Sequence, residues 1–157
     1  MCPETQLGAS EPHHAASRGS ALDHVGLSVG DLAAATDFYT KALDLAEEFR
    51  FEVPEVNMEA VVLRSPDGWA IELMTRPDSA APPRWEEPND AVKTRGYGHV
   101  CVRVSSELEE WFERLVGAGG RALVSPRIGP HPQVMYSYAA DPEGNLVELI
   151  QFLEGFQ

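Results

Sequence analysis

Two histidines and two glutamates recur in this chain at matching places, and as a set they have the chemistry of a divalent-metal centre. His24 opens the segment His24-Val-Gly-Leu-Ser-Val29, and His99 opens His99-Val-Cys-Val-Arg-Val104. Glu72 follows a Ser-Pro-Asp-Gly turn in Ala-Ile-Glu72-Leu, and Glu148 follows Asp-Pro-Glu-Gly-Asn in Leu-Val-Glu148-Leu. The Pro, Gly, Glu and Leu of the two turn segments superimpose without a gap, and the His-to-Glu separation differs between copies by a single residue. Imidazole nitrogens mixed with carboxylate oxygens suit one borderline divalent ion per site, Zn, Ni, Co, Fe or Mn, with positions left for water or substrate. A carboxylate inside an apolar strand is costly unless a cation compensates it. Meeting that cost at the same place in both copies is the reason to read the four residues together.

The elements that must position them follow from the hydrophobic period. Leu22 to Val29 alternates, with Val25, Leu27 and Val29 on one face and His24, Gly26 and Ser28 on the other. A helix follows, capped by Asp31, with Leu32, Ala35, Phe38, Tyr39, Ala42 and Leu43 as its apolar stripe. Strands are predicted over Ala46 to Val53, Met58 to Arg64 and Trp69 to Thr75. The second copy repeats the order: a strand over Tyr97 to Val104, a helix over Glu107 to Gly117 stopped by Gly119 and Gly120, and strands over Arg121 to Val124, Val134 to Ala140 and Leu146 to Phe152. The fold class is therefore α+β, two tandem βαβββ modules spanning 21–75 and 97–157. Residues two apart share a strand face. If helices cover the aliphatic faces, His24, Glu72, His99 and Glu148 project from the others into a half-barrel cleft.

The remaining segments set bounds. Residues 1–20, rich in Ser, Ala, Pro and Glu, read as a flexible tail in which His13 and His14 are solvated. Residues 76–96, with Pro77, Pro82, Pro83 and Pro88, read as a linker too proline-rich for regular structure. Its length leaves open whether the modules share a site within one chain or exchange between the chains of a homodimer. With 25 acidic against 12 basic residues and a net charge of −13, the chain repels phosphate backbones and anionic lipid, so neither nucleic acid nor a membrane is an expected partner. No apolar run is long enough to span a bilayer, and the N-terminus lacks a secretory signal. Two cysteines, Cys2 and Cys101, make no disulfide framework, which suits a reducing compartment, and a cytoplasmic location is the expectation.

At these residues the chain resembles the vicinal oxygen chelate superfamily, which includes glyoxalase I, methylmalonyl-CoA epimerase, extradiol dioxygenases and the fosfomycin and bleomycin resistance proteins. The markers are His24 with Gly30-Asp-Leu32 and Phe38-Tyr39, Ile71-Glu-Leu73, His99, and Asp141-Pro-Glu-Gly-Asn145 with Val147-Glu-Leu149. The likeness runs from Leu22 to Phe152 and is to the glyoxalase I metal centre above all. It implies a glyoxalase-like fold, metal ligands at His24, Glu72, His99 and Glu148, and a small substrate chelated through two neighbouring oxygens. The reaction it implies is that of a lyase, isomerase or epimerase working through an enolate, with Glu72 or Glu148 as the base. Glyoxalase I usually carries an Arg four residues after its first His, where this chain has Ser28, and an Asn four after its first Glu, where this chain has Arg76. The resemblance is therefore to the metal centre and not to a glutathione pocket. Arg103, at the repeat-equivalent place, is a candidate contact for an anionic or oxygen-rich substrate, and Tyr97, Tyr136 and Tyr138 are candidate cavity-lining residues. An Fe(II)-dependent extradiol-type oxygenase is the alternative reading, and a drug-binding resistance protein without turnover a further one.

Overall fold

The computed structural model describes residues 20–81, 83–105 and 107–156, so the expected tail with His13 and His14 lies, apart from Ser20, outside the described residues. The first module runs β1 (His24–Ser28), α1 (Leu32–Leu43), β2 (Ala46–Val53), β3 (Met58–Arg64) and β4 (Ala70–Thr75). The second runs β5 (Val100–Arg103), α2 (Leu108–Gly117), β6 (Arg121–Ile128), β7 (Val134–Ala140) and β8 (Leu146–Phe152). Each module forms its own four-stranded sheet, ordered β1-β4-β3-β2 and β5-β8-β7-β6. The first and last strands of each module pair in parallel and the others antiparallel, so β1 and β4, and β5 and β8, sit side by side.

The predicted stripe of α1 is the buried one: Leu32, Ala35, Phe38, Tyr39, Ala42 and Leu43 all face inward. Asp31 caps the helix by accepting from Ala34 N at 2.9 Å, and Asp44 ends it in a left-handed conformation, φ 58°. On the other side of the chain, Leu108, Phe112 and Leu115 anchor α2. The two helices lie against each other, and the helix-side residues of both sheets, Val61, Leu63, Ile71 and Leu73 with Val147 and Leu149, join one continuous core. Each such fully buried aliphatic side chain contributes roughly 1.5–3 kcal/mol.

Polar contacts tie the modules as well. The buried Tyr39 hydroxyl on α1 donates to Asp141 Oδ2 at 2.9 Å, in the β7–β8 turn. Glu143 in that turn accepts from the backbone N–H of Gly30 and Asp31 at 2.8 and 2.9 Å, placing a carboxylate at the positive end of α1.

Three expectations need correction. The strand expected from Tyr97 to Val104 spans only Val100–Arg103, so Tyr97 and His99 stand just ahead of it. The strand predicted to stop at Val124 continues to Ile128 through Pro126. It does so because β6 is an edge strand with register shifts between Ala122 and Val124 and between Val124 and Arg127, where a proline costs no ladder bond. The linker is not wholly irregular either. Pro88–Lys93 forms a short 3-10 helix whose Ala91 is buried against Ala140 and Leu146 beside Trp85. Pro88 stands at the first turn, where its missing N–H is harmless.

Candidate metal centre

The parity inferred for the strands holds. On β1, His24, Gly26 and Ser28 are exposed while Val25 and Leu27 turn toward the helix, and on β5 Cys101 and Arg103 are exposed while Val100 and Val102 turn inward. His24 Nε2 lies 3.5 Å from Glu72 Oε2, and His99 Nε2 lies 3.1 Å from Glu148 Oε2. The two carboxylates are mostly buried, their side chains 18% and 17% exposed, yet neither meets a Lys or Arg within salt-bridge reach among the described residues. A mostly buried carboxylate beside an imidazole nitrogen, with no cationic side chain to offset its charge, is a donor pair short of a cation. That donor chemistry fits a divalent metal.

Asp23, which the sequence reading passed over, completes the first pair. His24 Nδ1 lies 2.9 Å from Asp23 Oδ2, which assigns the ring proton to Nδ1 and leaves the Nε2 lone pair aimed at Glu72. That bond, with the Arg64 guanidinium beside it, holds the Asp23 carboxyl below its usual value. The signal was present in the sequence as a carboxylate adjacent to a candidate ligand.

The surroundings of the pairs differ. Gly26 and Val62 stand opposite Glu72 on the neighbouring strands, and Ala60 opposite Met74. A Cβ at Gly26 would come within 2.9 Å of Met74 Cε, so the glycine lets that side chain lie beside the carboxylate. Farther out on the same face, β2 adds Phe51 opposite Ala60 and Phe49 opposite Val62, their rings 6.0 Å apart. Beside Glu148 the corresponding strands place Cys101 and Tyr138. The Tyr138 ring stands edge-on to His99 at 5.4 Å and to Tyr136 at 6.1 Å. Burial first, then the charge of Glu148, raises the Tyr138 hydroxyl. The same causes in the same order push the Cys101 thiol up to about 12, although the residue as a whole is exposed. Both therefore stay protonated at neutral pH and able to donate.

The four candidate ligands are thus brought together as two pairs and not as one cluster: among the described residues no group of three or more His, Cys, Asp or Glu is placed to hold a metal ion. Both pairs lie outside the shared core, on the sheet faces the helices leave uncovered. Tyr136 and Tyr138 lie on that face as expected. Tyr97 does not join them; it is fully exposed ahead of β5 and lines a depression of about 170 Å³ with Trp85, Arg95 and Leu146 under the linker. A second hollow, about 310 Å³, lies by Thr75 and Arg76. Neither hollow is lined by a His–Glu pair; both pairs sit on the open sheet faces. No helix among the described residues is long and apolar enough to cross a membrane.

Comparison with known proteins bears on what such faces are for. The model of the Glyoxalase/Bleomycin resistance protein/Dioxygenase superfamily matches residues 21–149. A virulence protein of Salmonella typhimurium, STM3117, is 25% identical over 134 residues, 84% of each chain. Among solved structures, a glyoxylase/bleomycin resistance protein/dioxygenase domain from Frankia sp. EAN1pec superposes with a TM-score of 0.70 at 23% identity, covering 85% of this chain and 98% of that one. Glyoxalase I from Zea mays gives 0.66 at 21% identity; the match covers 85% of this chain but spans only 45% of the maize chain. At these identities the structures speak for the fold.

Proposed function

Because the chain belongs to the Glyoxalase/Bleomycin resistance protein/Dioxygenase superfamily, we propose that it is a metal-dependent enzyme whose site is completed by a second copy. In this reading His24 and Glu72 of one chain meet His99 and Glu148 of the partner subunit around one divalent ion. The observation that carries it is the pair of matched His–Glu contacts, each on the uncovered face of a sheet and each short of a full set of metal ligands among the described residues. An isologous dimer covers both faces at once and forms two equal sites.

The substrate is a small molecule with two neighbouring oxygens, and the reaction a lyase, isomerase or epimerase step that moves a proton beside a carbonyl. The bound metal would supply Lewis-acid polarisation, making that C–H acidic. The chain supplies the rest. Protonated Tyr138 and Cys101 flank Glu148 and hold its charge in place. The strands beside Glu72 place Gly26 and Val62 opposite it and Met74 close by, none of which can donate from its side chain, so its carboxylate is the freer to take and return the proton at Oε2. Phe49, Phe51 and Met74 give the face beside Glu72 an apolar surface, which the second copy would close off from water.

Two double variants test the arrangement: His24→Ala with Glu72→Gln, and His99→Ala with Glu148→Gln. Each alone is expected to bind no stoichiometric metal. Unfolded together and refolded, they should regain roughly a quarter of the wild-type metal sites, since half of the dimers are mixed and each mixed dimer holds one intact site. A mixture that regains none overturns the shared site. Turnover that consumes dioxygen and fails on iron oxidation would move the reaction to the oxygenase branch of the superfamily.

A further inference from the structure

We propose that the linker builds a specificity pocket beside the second His–Glu pair, in which Trp85 and Tyr97, over Leu146, hold a single ring or a short branched alkyl group of the substrate. The chelating end of that substrate rests on the metal-centre reading; the pocket itself does not.

Three observations carry it. First, the linker packs on the face of the second sheet that the helices leave uncovered. Leu146 precedes Glu148 by two residues on β8, and Ala140, opposite Leu146 on β7, follows Tyr138 by two, so all four share that face. Leu146 and Ala140 are nonetheless only 4% and 1% exposed, because Ala91 of the 3-10 helix packs on them beside Trp85. Arg121, opposite Ala140 on β6, pins this strap down: it donates to Trp85 O at 2.8 Å and pairs with Glu86 at 3.1 Å. Second, the strap and the sheet bound the hollow of about 170 Å³, whose lining includes Trp85, Ala91, Tyr97, Gly98 and Leu146. Gly98 is the chain neighbour of His99, and Leu146 stands two residues, about 7 Å, along the strand from Glu148, so the hollow adjoins the second metal pair. Pockets for drug-sized ligands run to about 300–1,000 Å³, so this one takes a single ring and no more. Tyr97 is fully exposed, so its ring adds nothing to the packing of the fold and can close on a guest. Third, the first sheet has no counterpart. There Ala70 holds the place of Leu146, and Arg64 opposite it donates to Glu48 at 2.7 Å and to Gly68 O at 2.7 Å, which closes that end with charge. An apolar substituent therefore has one seat and the substrate one orientation. The substrate class is a small oxygen chelator carrying a compact apolar group about 7 Å from the metal carboxylate.

Two matched probes read this on the metal-loaded protein by calorimetry: acetohydroxamate and phenylacetohydroxamate, which share a chelating head and differ by one phenyl ring. The phenyl probe should bind at least about tenfold tighter. Trp85→Ala and Tyr97→Ala should each cut that ratio to below about threefold. Tyr97→Ala guards against a trivial loss of folding, since the ring it removes is fully exposed. Equal affinity of the two probes for the wild-type protein, or a ratio that survives either substitution, overturns the pocket. Titration of the metal-free protein with phenylacetamide, followed by the three tryptophan indole N–H signals, gives the independent arm. The Trp85 signal should move on a saturable curve while those of Trp69 and Trp111 stay put. An unmoved Trp85 signal, or equal movement of all three, also overturns the proposal. Failure of acetohydroxamate to bind the metal-loaded protein counts against the metal centre instead, and the phenylacetamide titration then still decides the pocket.

Discussion

Beside Glu72 the neighbouring strands place Gly26 and Val62; beside Glu148 they place Cys101 and Tyr138. The turns that lead into the two glutamate strands diverge in the same way. In the second module Asp141 is buried and saturated: Oδ1 accepts from the N–H groups of Glu143, Gly144 and Asn145, and Oδ2 from Asn145 Nδ2 and the Tyr39 hydroxyl. In the first module the same place is Ser65, whose buried hydroxyl has no partner among the described residues. One repeated plan thus serves two tasks. The first module has apolar strand neighbours for its carboxylate, and the second has the Cys101 and Tyr138 donors and the polar joint that fastens the modules together. An asymmetric substrate needs such a difference, since two chemically identical glutamates can be told apart only by their surroundings.

The sharpest way to break the comparison is to make the second turn resemble the first. Asp141→Ser removes the acceptor for five donors and leaves the buried Tyr39 hydroxyl unpaired, which should lower unfolding stability by about 3 kcal/mol in a denaturant titration. A loss below about 1 kcal/mol would mean the turn is held by backbone geometry alone. Tyr39→Phe tests the joint from its other end. It removes one hydrogen bond to a charged acceptor while Asp141 keeps its others, so the expected cost is about 1.5 kcal/mol at neutral pH. The pH dependence separates this from a packing effect. Burial, with the charge of Asp141, raises the Tyr39 hydroxyl well above 10 in the folded protein. Its contribution is therefore fully present below the unfolded value near 10 and is lost as pH rises beyond it. Stability of the wild type should fall above pH ~10 more steeply than that of Tyr39→Phe. Parallel alkaline limbs would sink the explanation.

What could be read in the sequence, and what could not, divides along physical lines. The modules were legible because each strand alternates and each helix repeats at its own period, and because Pro, Gly, Glu and Leu recur in both turns. The superfamily and the glyoxalase-like fold were legible for the same reason. Parity put His24 with Glu72 and His99 with Glu148, since it depends only on counting along a strand. Convergence of the two pairs was not legible, because the linker does not specify which module faces which, and the structure leaves them separate within one chain. The far end of β6 was not legible because a proline such as Pro126 ordinarily ends a strand, whereas an edge strand with a bulge runs through it. Asp141 was read as part of a turn motif; that its partner would be a tyrosine 102 positions away on α1 is a tertiary fact with no local signature.

The smallest effect belongs to the first turn. Ser65 is 7% exposed, its backbone N–H is satisfied by Trp69 O at 2.9 Å, and its hydroxyl meets no partner. A buried hydroxyl without a hydrogen bond is a desolvation cost with no return, so Ser65→Ala should leave stability unchanged or raise it, by up to about 1 kcal/mol. The helix explains why an aspartate has no place there. Tyr39 stands seven residues after Leu32 at the start of α1, and the residue seven after Leu108 at the start of α2 is Leu115, which has nothing to donate. Ser65→Asp should accordingly destabilise, and pairing it with Leu115→Tyr should recover part of the loss if the two turns are equivalent in space as well as in sequence. A Ser65→Ala variant that loses more than about 1 kcal/mol would show that the hydroxyl has found a partner, a bound water being the simplest, and the contrast between the two turns would then be one of solvent against protein donors.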